Sequence, residues 1–186
     1  LSIKELQSLP DTDIPGLVDM LGEKHETLQQ KVAEIESTMD QIRGRLVMIE
    51  RMQTLKQQGY TVVSHKLERL ERFRFDNETI VDRYLSDPYR SVGYFPRGEK
   101  IRPSYGIFQD EGPNTLREPD QGEKQYLKGL LRVEADNTLF HDVDNMESKA
   151  DRLGYTPGDL TGLYLFSGFD GKRYDYYEAY LQLVPK

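Results

Sequence analysis

The chain contains no cysteine, which excludes a disulfide framework and thiol chemistry and leans toward a cytoplasmic location. No apolar run approaches the roughly 18–20 residues of a membrane span, so no membrane partner is expected. No signal peptide opens the sequence. It starts at Leu1 rather than Met, as expected of a processed product or an expressed fragment. Positive charge is in deficit, with 25 Lys and Arg against 32 Asp and Glu, a net charge of −7. That balance argues against a general nucleic-acid surface and is compatible with cationic small molecules. Histidine is scarce, only His25, His65 and His141, and none stands in a zinc or EF-hand spacing. Phe140-His141-Asp142-Val143-Asp144 has the ingredients of a metal site but reads as a solvated loop, so no metal and no cofactor is predicted. There is no G-x-S-x-G elbow, no histidine near a promising serine and no glycine-rich phosphate loop. No catalytic residue is assigned and no enzyme activity is expected.

What is present is a heptad run. Leu21, Leu28, Ile35, Ile42 and Ile49 recur every seven residues, and His25, Val32, Met39 and Leu46 form a second series offset by three and four. Both series fall on one stripe of a helix, which predicts a partner helix. His25, as a polar seam residue near one end, is expected to help set register. The helical pattern runs from about 17 to 58. Asp13 is a suitable N-cap, Pro15 lies just inside, and Gly59 is a natural stop. The seam fades after Ile49, where Gln53 replaces the next apolar residue. The dimer contact is therefore expected over 21–49, with the last helical turns on the following domain. Residues 1–9 read as a short amphipathic helix ended by Pro10.

After Gly59 the sequence becomes shorter in period and more aromatic, with all 12 tyrosines and all 7 phenylalanines. Strands are predicted at about 67–75, 103–109, 127–134, 161–168 and 174–183, and helices at 78–86 and 144–153. This is an α+β pattern, and the domain boundaries fall at 1–16, 17–58 and 59–186. Strand 174–183 separates into two faces. Tyr174, Tyr176, Glu178, Tyr180 and Gln182 share one. Asp175, Tyr177, Ala179, Leu181 and Leu183 share the other, which suits packing against helices. In 161–168, Tyr164 and Phe166 share a face, and Leu163 and Leu165 share the other with Ser167. A hairpin at Asp170-Gly171 makes the aromatic faces adjoin. The result is an aromatic surface with Glu178 near its centre, a seat for a lipophilic cation. Taken alone, the strand pair reads more readily as an ordinary sheet face with Glu178 in water. Arg90, Arg97, Lys100 and Arg102 form a basic cluster that reads as a solvated loop or as a surface toward a neighbouring element.

The order of these segments resembles the MerR family of transcription regulators. LSIKELQSL, a short acidic linker and a long seamed helix look like the part that follows the family's DNA-binding head. The remainder resembles the GyrI-like effector-binding domain, through RPSYGIF at 102–108, the Asp110-Glu111-Gly112 turn and the terminal YDYYEAYLQLV. The resemblance implies an antiparallel coiled-coil homodimer through Leu21, His25, Leu28, Val32, Ile35, Met39, Ile42, Leu46 and Ile49. It implies a small lipophilic or aromatic effector, cations included, bound by Glu178 and Tyr180. Tyr164, Phe166 and Tyr176 are expected as walls, with Tyr105 and Tyr94 as outer candidates. Promoter DNA and RNA polymerase would be partners only of a full-length protein that carries the head, which is expected to be absent here. Some drug-responsive relatives carry a second acid on the penultimate strand. GLYLFSG has none, which widens the expected ligands to neutral and zwitterionic molecules. Two alternatives stand beside this reading: a GyrI-like hydrolase of a reactive small molecule, using Glu178 with Tyr180, and a coiled-coil interaction adaptor.

Overall fold

The computed structural model describes residues 13–74, 78–86, 88–98, 103–138 and 141–186. The predicted helix at 1–9 and the Lys100 and Arg102 members of the basic cluster lie outside them. Helix α1 runs Ile14–Gln58, 45 residues. Asp13 caps it: its carboxylate accepts the Gly16 N–H at 3.1 Å and its carbonyl accepts the Leu17 N–H at 2.9 Å, satisfying donors that a first turn leaves unpaired. Gly59 ends it at φ 66°, donating its N–H to the Leu55 carbonyl at 3.0 Å. A left-handed residue at this point is the common helix stop, and glycine takes it without a Cβ penalty.

The chain divides into two compact units between Leu46 and Val47. The described part of the first is α1 up to Leu46. Along it Leu21, Leu28, Val32, Ile35, Met39, Ile42 and Leu46 are 44–59 % exposed. His25, Leu28 and Val32 line one shallow groove of this helix. Ile49, the last predicted seam residue, is half-buried and belongs to the second unit.

Among the described residues, the second unit holds the last turns of α1, eight strands and two further helices. In chain order these are β1 (Thr61–His65), β2 (Leu70–Arg72), α2 (Glu78–Ser86), a single turn at Pro88–Arg90, β3 (Ser91–Phe95), β4 (Ser104–Phe108), β5 (Thr115–Arg117), β6 (Lys124–Glu134), α3 (Val143–Arg152), β7 (Tyr155–Asp170) and β8 (Lys172–Pro185). The strands form one antiparallel sheet in the order β1-β6-β8-β7-β3-β4-β2-β5. The chain is therefore α+β. No helix of the described residues is long and apolar enough to cross a membrane.

The predicted strand at 67–75 shortens to β2, where a register shift between Leu70 and Glu71 interrupts its pairing with β5. The predicted 161–168 lengthens to β7: Pro157 pairs with Leu183, and a second irregularity between Pro157 and Leu160 takes up Gly158 and Asp159 without ending the strand, as bulges allow. Strands β1, β3 and β5 lie outside the predicted set. In β3 the central Gly93 breaks the strand pattern, yet it packs on the Tyr177 ring, which lies 3.6 Å from where a Cβ would stand.

The two sheet faces have different contents. Tyr177, Ala179, Leu181 and Leu183 of β8 pack with Leu127, Leu131, Val133 and Leu160 against Val143, Met146 and Ala150 of α3. This is the helix-packing face read from the sequence. Positions 143, 146 and 150 lie one turn apart along one stripe of α3, and Gly154 at φ 86° closes that helix. The opposite face carries Tyr126 and Tyr180 with Leu67, then Leu70, Val92 and Tyr94. At this end Asp120 is fully buried. Its carboxylate accepts the Leu67 N–H at 2.9 Å, the Tyr126 hydroxyl at 2.7 Å, Arg117 at 2.6 Å and Lys124 at 2.8 Å. Burial alone would raise its pKa; the bonds from Lys124, Tyr126 and Leu67 outweigh burial and hold it at about 2.

Candidate functional site

Glu178 sits at the centre of β8, opposite Leu130 of β6 and Leu163 of β7. Strand alternation turns it away from α3 and toward the last turns of α1. There Met48, Met52 and Leu55 recur at helical spacing on the side that meets the sheet, with Leu55 buried. Arg51 shares that side. Its Nε donates to Glu178 Oε2 at 2.6 Å and its Nη2 to Oε1 at 2.8 Å, a bidentate guanidinium–carboxylate pair. Lys128, on the neighbouring strand, places Nζ 2.8 Å from Oε1. The Tyr180 hydroxyl donates to the same oxygen at 2.6 Å. Glu178 is 7 % exposed, so it is not in water. Burial pushes its pKa up, but the bonds from Arg51, Lys128 and Tyr180 together overcome this and hold it at about 2. Burial, reinforced by the bond to Glu178, pushes the Tyr180 hydroxyl up, so it remains a neutral donor. The His65 ring stacks on Tyr180 at 4.7 Å, with the Tyr126 ring edge-on at 6.2 Å, and Lys128 lies over the Tyr180 ring at 5.4 Å.

Beside this cluster is a cleft of about 290 Å³ lined by Val47, Met48, Arg51, Tyr89, Leu163, Tyr164, Leu165 and Glu178. Its walls are apolar, and among the described residues its charged groups are Arg51 and Glu178.

The predicted site residues are distributed unevenly about it. Glu178 and Tyr164 border the cleft, and Tyr180 supports Glu178 from beneath. Tyr164 and Phe166 do not share a face, which corrects the predicted arrangement. An irregularity in β7 between these two residues places Tyr164 opposite Tyr177 and Phe166 opposite Tyr176. One extra residue reverses the alternation. The Tyr164 ring consequently meets Tyr177 edge-on at 5.8 Å, and its hydroxyl lies 2.8 Å from Ser167 Oγ. Phe166 stacks on Tyr176 at 5.0 Å, farther along the Glu178 face. Leu163, read as belonging with Ser167, lies on the Glu178 face instead, while Ser167 faces Asp175. The cleft is thus more aliphatic than the aromatic surface read from the sequence. Tyr94 is buried on the Glu178 face and donates its hydroxyl to Asp159 at 2.8 Å. Tyr105 lies on the opposite face, hydrogen-bonded to Tyr177.

Sequence reasoning missed Arg51, Lys128, Met48, Leu163 and Tyr89. A signal for Arg51 existed in the fading of the seam at Gln53, since Met48, Met52 and Leu55 begin a second stripe rotated from the first. Lys128 had none beyond its place in an alternating strand. His141 packs edge-on to Phe95 at 5.4 Å and accepts the Val143 N–H at 3.4 Å. No group of three His, Cys, Asp or Glu side chains converges as metal ligands among the described residues.

Chemically, the arrangement can hold an apolar body against Leu163, Leu165, Met48 and Val47 and offer it a fixed polar end. A carboxylate held at about 2 and already accepting four hydrogen bonds or ion pairs is a poor general base, because that role needs a pKa near the working pH. No protein-family model matches the chain, and no match to it was found among curated proteins.

Proposed function

We propose that this chain is the dimerisation and ligand-sensing part of a MerR-type transcription regulator, with a GyrI-like effector-binding domain. In this reading residues 21–49 of α1 pair antiparallel with their copy in a cytoplasmic homodimer. A small lipophilic or aromatic effector fills the cleft beside Glu178, and its binding is relayed to a DNA-binding head carried by the full-length protein. The relay requires that the effector favour one dimer arrangement over another.

The observation that carries the reading is the cleft itself. An apolar recess ends in a built polar cluster, and the last turns of the seamed helix form one of its walls. Small-molecule sites combine mostly apolar walls with a few fixed polar groups in this way. The exposed heptad stripe on the same helix supports the dimer, since contiguous apolar surface of this kind marks an interaction site.

A thermal-shift panel of small aromatic amines, amides and acids tests the ligand half. A compound that binds only the folded state raises the melting temperature by mass action. At least one member is expected to do so, and Leu163→Trp, which fills the recess, is expected to abolish the gain. A flat response across the panel would leave the cleft without a sensing role.

A further inference from the structure

The geometry points to an organic acid, an apolar body carrying one carboxylate or similar anion, as the ligand class of the cleft. This rests on the reading of the cleft as an effector site and names its chemistry.

Three observations carry it. The first is saturation. Glu178 Oε2 accepts from Arg51 Nε, and Oε1 accepts from Arg51 Nη2, Lys128 Nζ and Tyr180 Oη, all within 2.8 Å. A carboxylate offers about two acceptor positions on each oxygen, so Oε1 is fully taken and Oε2 keeps a single position beside the Arg51 guanidinium. An incoming cation meets that one position next to a like charge, or must break the bidentate pair or displace Lys128. The second is charge. One carboxylate faces two cations, Arg51 and Lys128, so the cluster carries a net charge of +1. The third is exposure. The Arg51 side chain is 44 % exposed and that of Glu178 only 9 %. What the cleft presents at its polar end is therefore guanidinium. The pair with Glu178 uses Nε and Nη2, and a guanidinium has five N–H donors in all, so its outer edge can receive a second anion.

A carboxylate on that edge brings the cluster to neutrality, and its apolar body lies against Val47, Met48, Leu163 and Leu165. The volume of about 290 Å³ sits at the small end of the range for ligand pockets, so one or two fused rings are the matching size. This reverses the polarity expected from Glu178 alone. The acid read as a cation anchor instead orients the arginine that binds an anion.

The test compares three molecules of one shape on the full chain by isothermal titration calorimetry at pH 7 and low salt: 2-naphthoate, 2-naphthamide and 2-naphthylmethylammonium. The acid is expected to bind at least tenfold tighter than the amide, with the cation weakest. Arg51→Met is expected to bring the acid down to the level of the amide. Arg51→Lys, which keeps the charge and loses the fork, is expected to keep part of the preference and serves if Arg51→Met fails to fold. Leu163→Trp is expected to block all three. Equal affinity for acid and amide, or tightest binding of the cation, with either still blocked by Leu163→Trp, overturns the acid assignment and leaves the effector site standing. Binding of none of the three, or binding that ignores Leu163→Trp, overturns the effector site and the acid assignment together.

Discussion

Replacing Glu178 by Gln removes the charge that Arg51 and Lys128 both face, and the structure sets the size of the effect. The carboxyl is held at about 2 against an ordinary 4.5. At about 1.4 kcal/mol per decade this corresponds to on the order of 3 kcal/mol of charge-dependent stability at neutral pH. Water reaches Arg51, whose side chain is 44 % exposed, and screens much of that, leaving about 1–2 kcal/mol. For a domain of this size the melting temperature should fall by roughly 2–8 °C. The sign with pH follows from the direction of the shift. Because the folded pKa lies below the unfolded one, the contribution is complete above about 4.5 and is lost as pH falls toward 2. Urea unfolding of the wild-type chain and of Glu178→Gln at pH 7, 5 and 3 reads this directly. The stability gap should be full at pH 7, nearly full at pH 5 and clearly smaller at pH 3. A gap that stays constant down to pH 3, or a Gln variant more stable than the wild type at pH 7, would refute the assignment of Glu178 as an ionised, paired carboxylate.

Other outcomes follow from the same structure. Asp120→Asn should cost about 1–3 kcal/mol at pH 7, since it weakens the bonds that Leu67, Tyr126, Arg117 and Lys124 make to one buried carboxylate. With Asp120 held at about 2, that cost should also fade as pH drops below about 4, measured by denaturant unfolding. Gly129→Ala places a Cβ into the Tyr60 ring, against its Cδ1, and should cost about 1–3 kcal/mol by overpacking. Pairing it with Tyr60→Ala should show strong non-additivity in a double-mutant cycle. Ile35→Asp at the middle of the exposed stripe should convert the proposed dimer to a monomer in sedimentation velocity. Each copy would lose roughly 1.5–3 kcal/mol of burial, counted twice in a two-fold contact, while the fold of the second unit should be unchanged by circular dichroism.

The parts of the fold legible in the sequence are those with long, regular patterns. Helix α1 announces itself through the heptads and through Asp13 and Gly59 at its ends. The inward face of β8 follows from strict alternation over Tyr177, Ala179, Leu181 and Leu183, and α3 from Val143, Met146 and Ala150. The short strands β1, β3 and β5 were not legible, because three to five residues with a central glycine or flanking turns carry too little period to register. In the site, the place of Glu178 on the face away from α3 was readable, and its environment was not. Alternation says which side a residue faces, but an irregularity of one residue in β7 reverses the neighbours, and no residue type in GLYLFSG marks it. Nor does alternation say that Arg51, far away in the chain, closes on the same carboxylate. That pairing arises only when the last turns of α1 lie on the sheet. The seam's break at Gln53 signals that one apolar stripe ends there and another begins, without saying what the second one meets.

Because the chain has no cysteine, a single cysteine introduced at Glu23, off the seam, can carry a spin label without interference, and the distance between labels in paired copies tests the proposed dimer most directly. If the copies run antiparallel about Ile35, a rise of about 1.5 Å per residue sets the two labels roughly 35–40 Å apart. Saturating the cleft with 2-naphthoate should shift that distribution. No measurable dipolar coupling, or a distance below roughly 20 Å as a parallel pair would give, would contradict the antiparallel dimer. A distribution that does not move when the cleft is filled would contradict the relay.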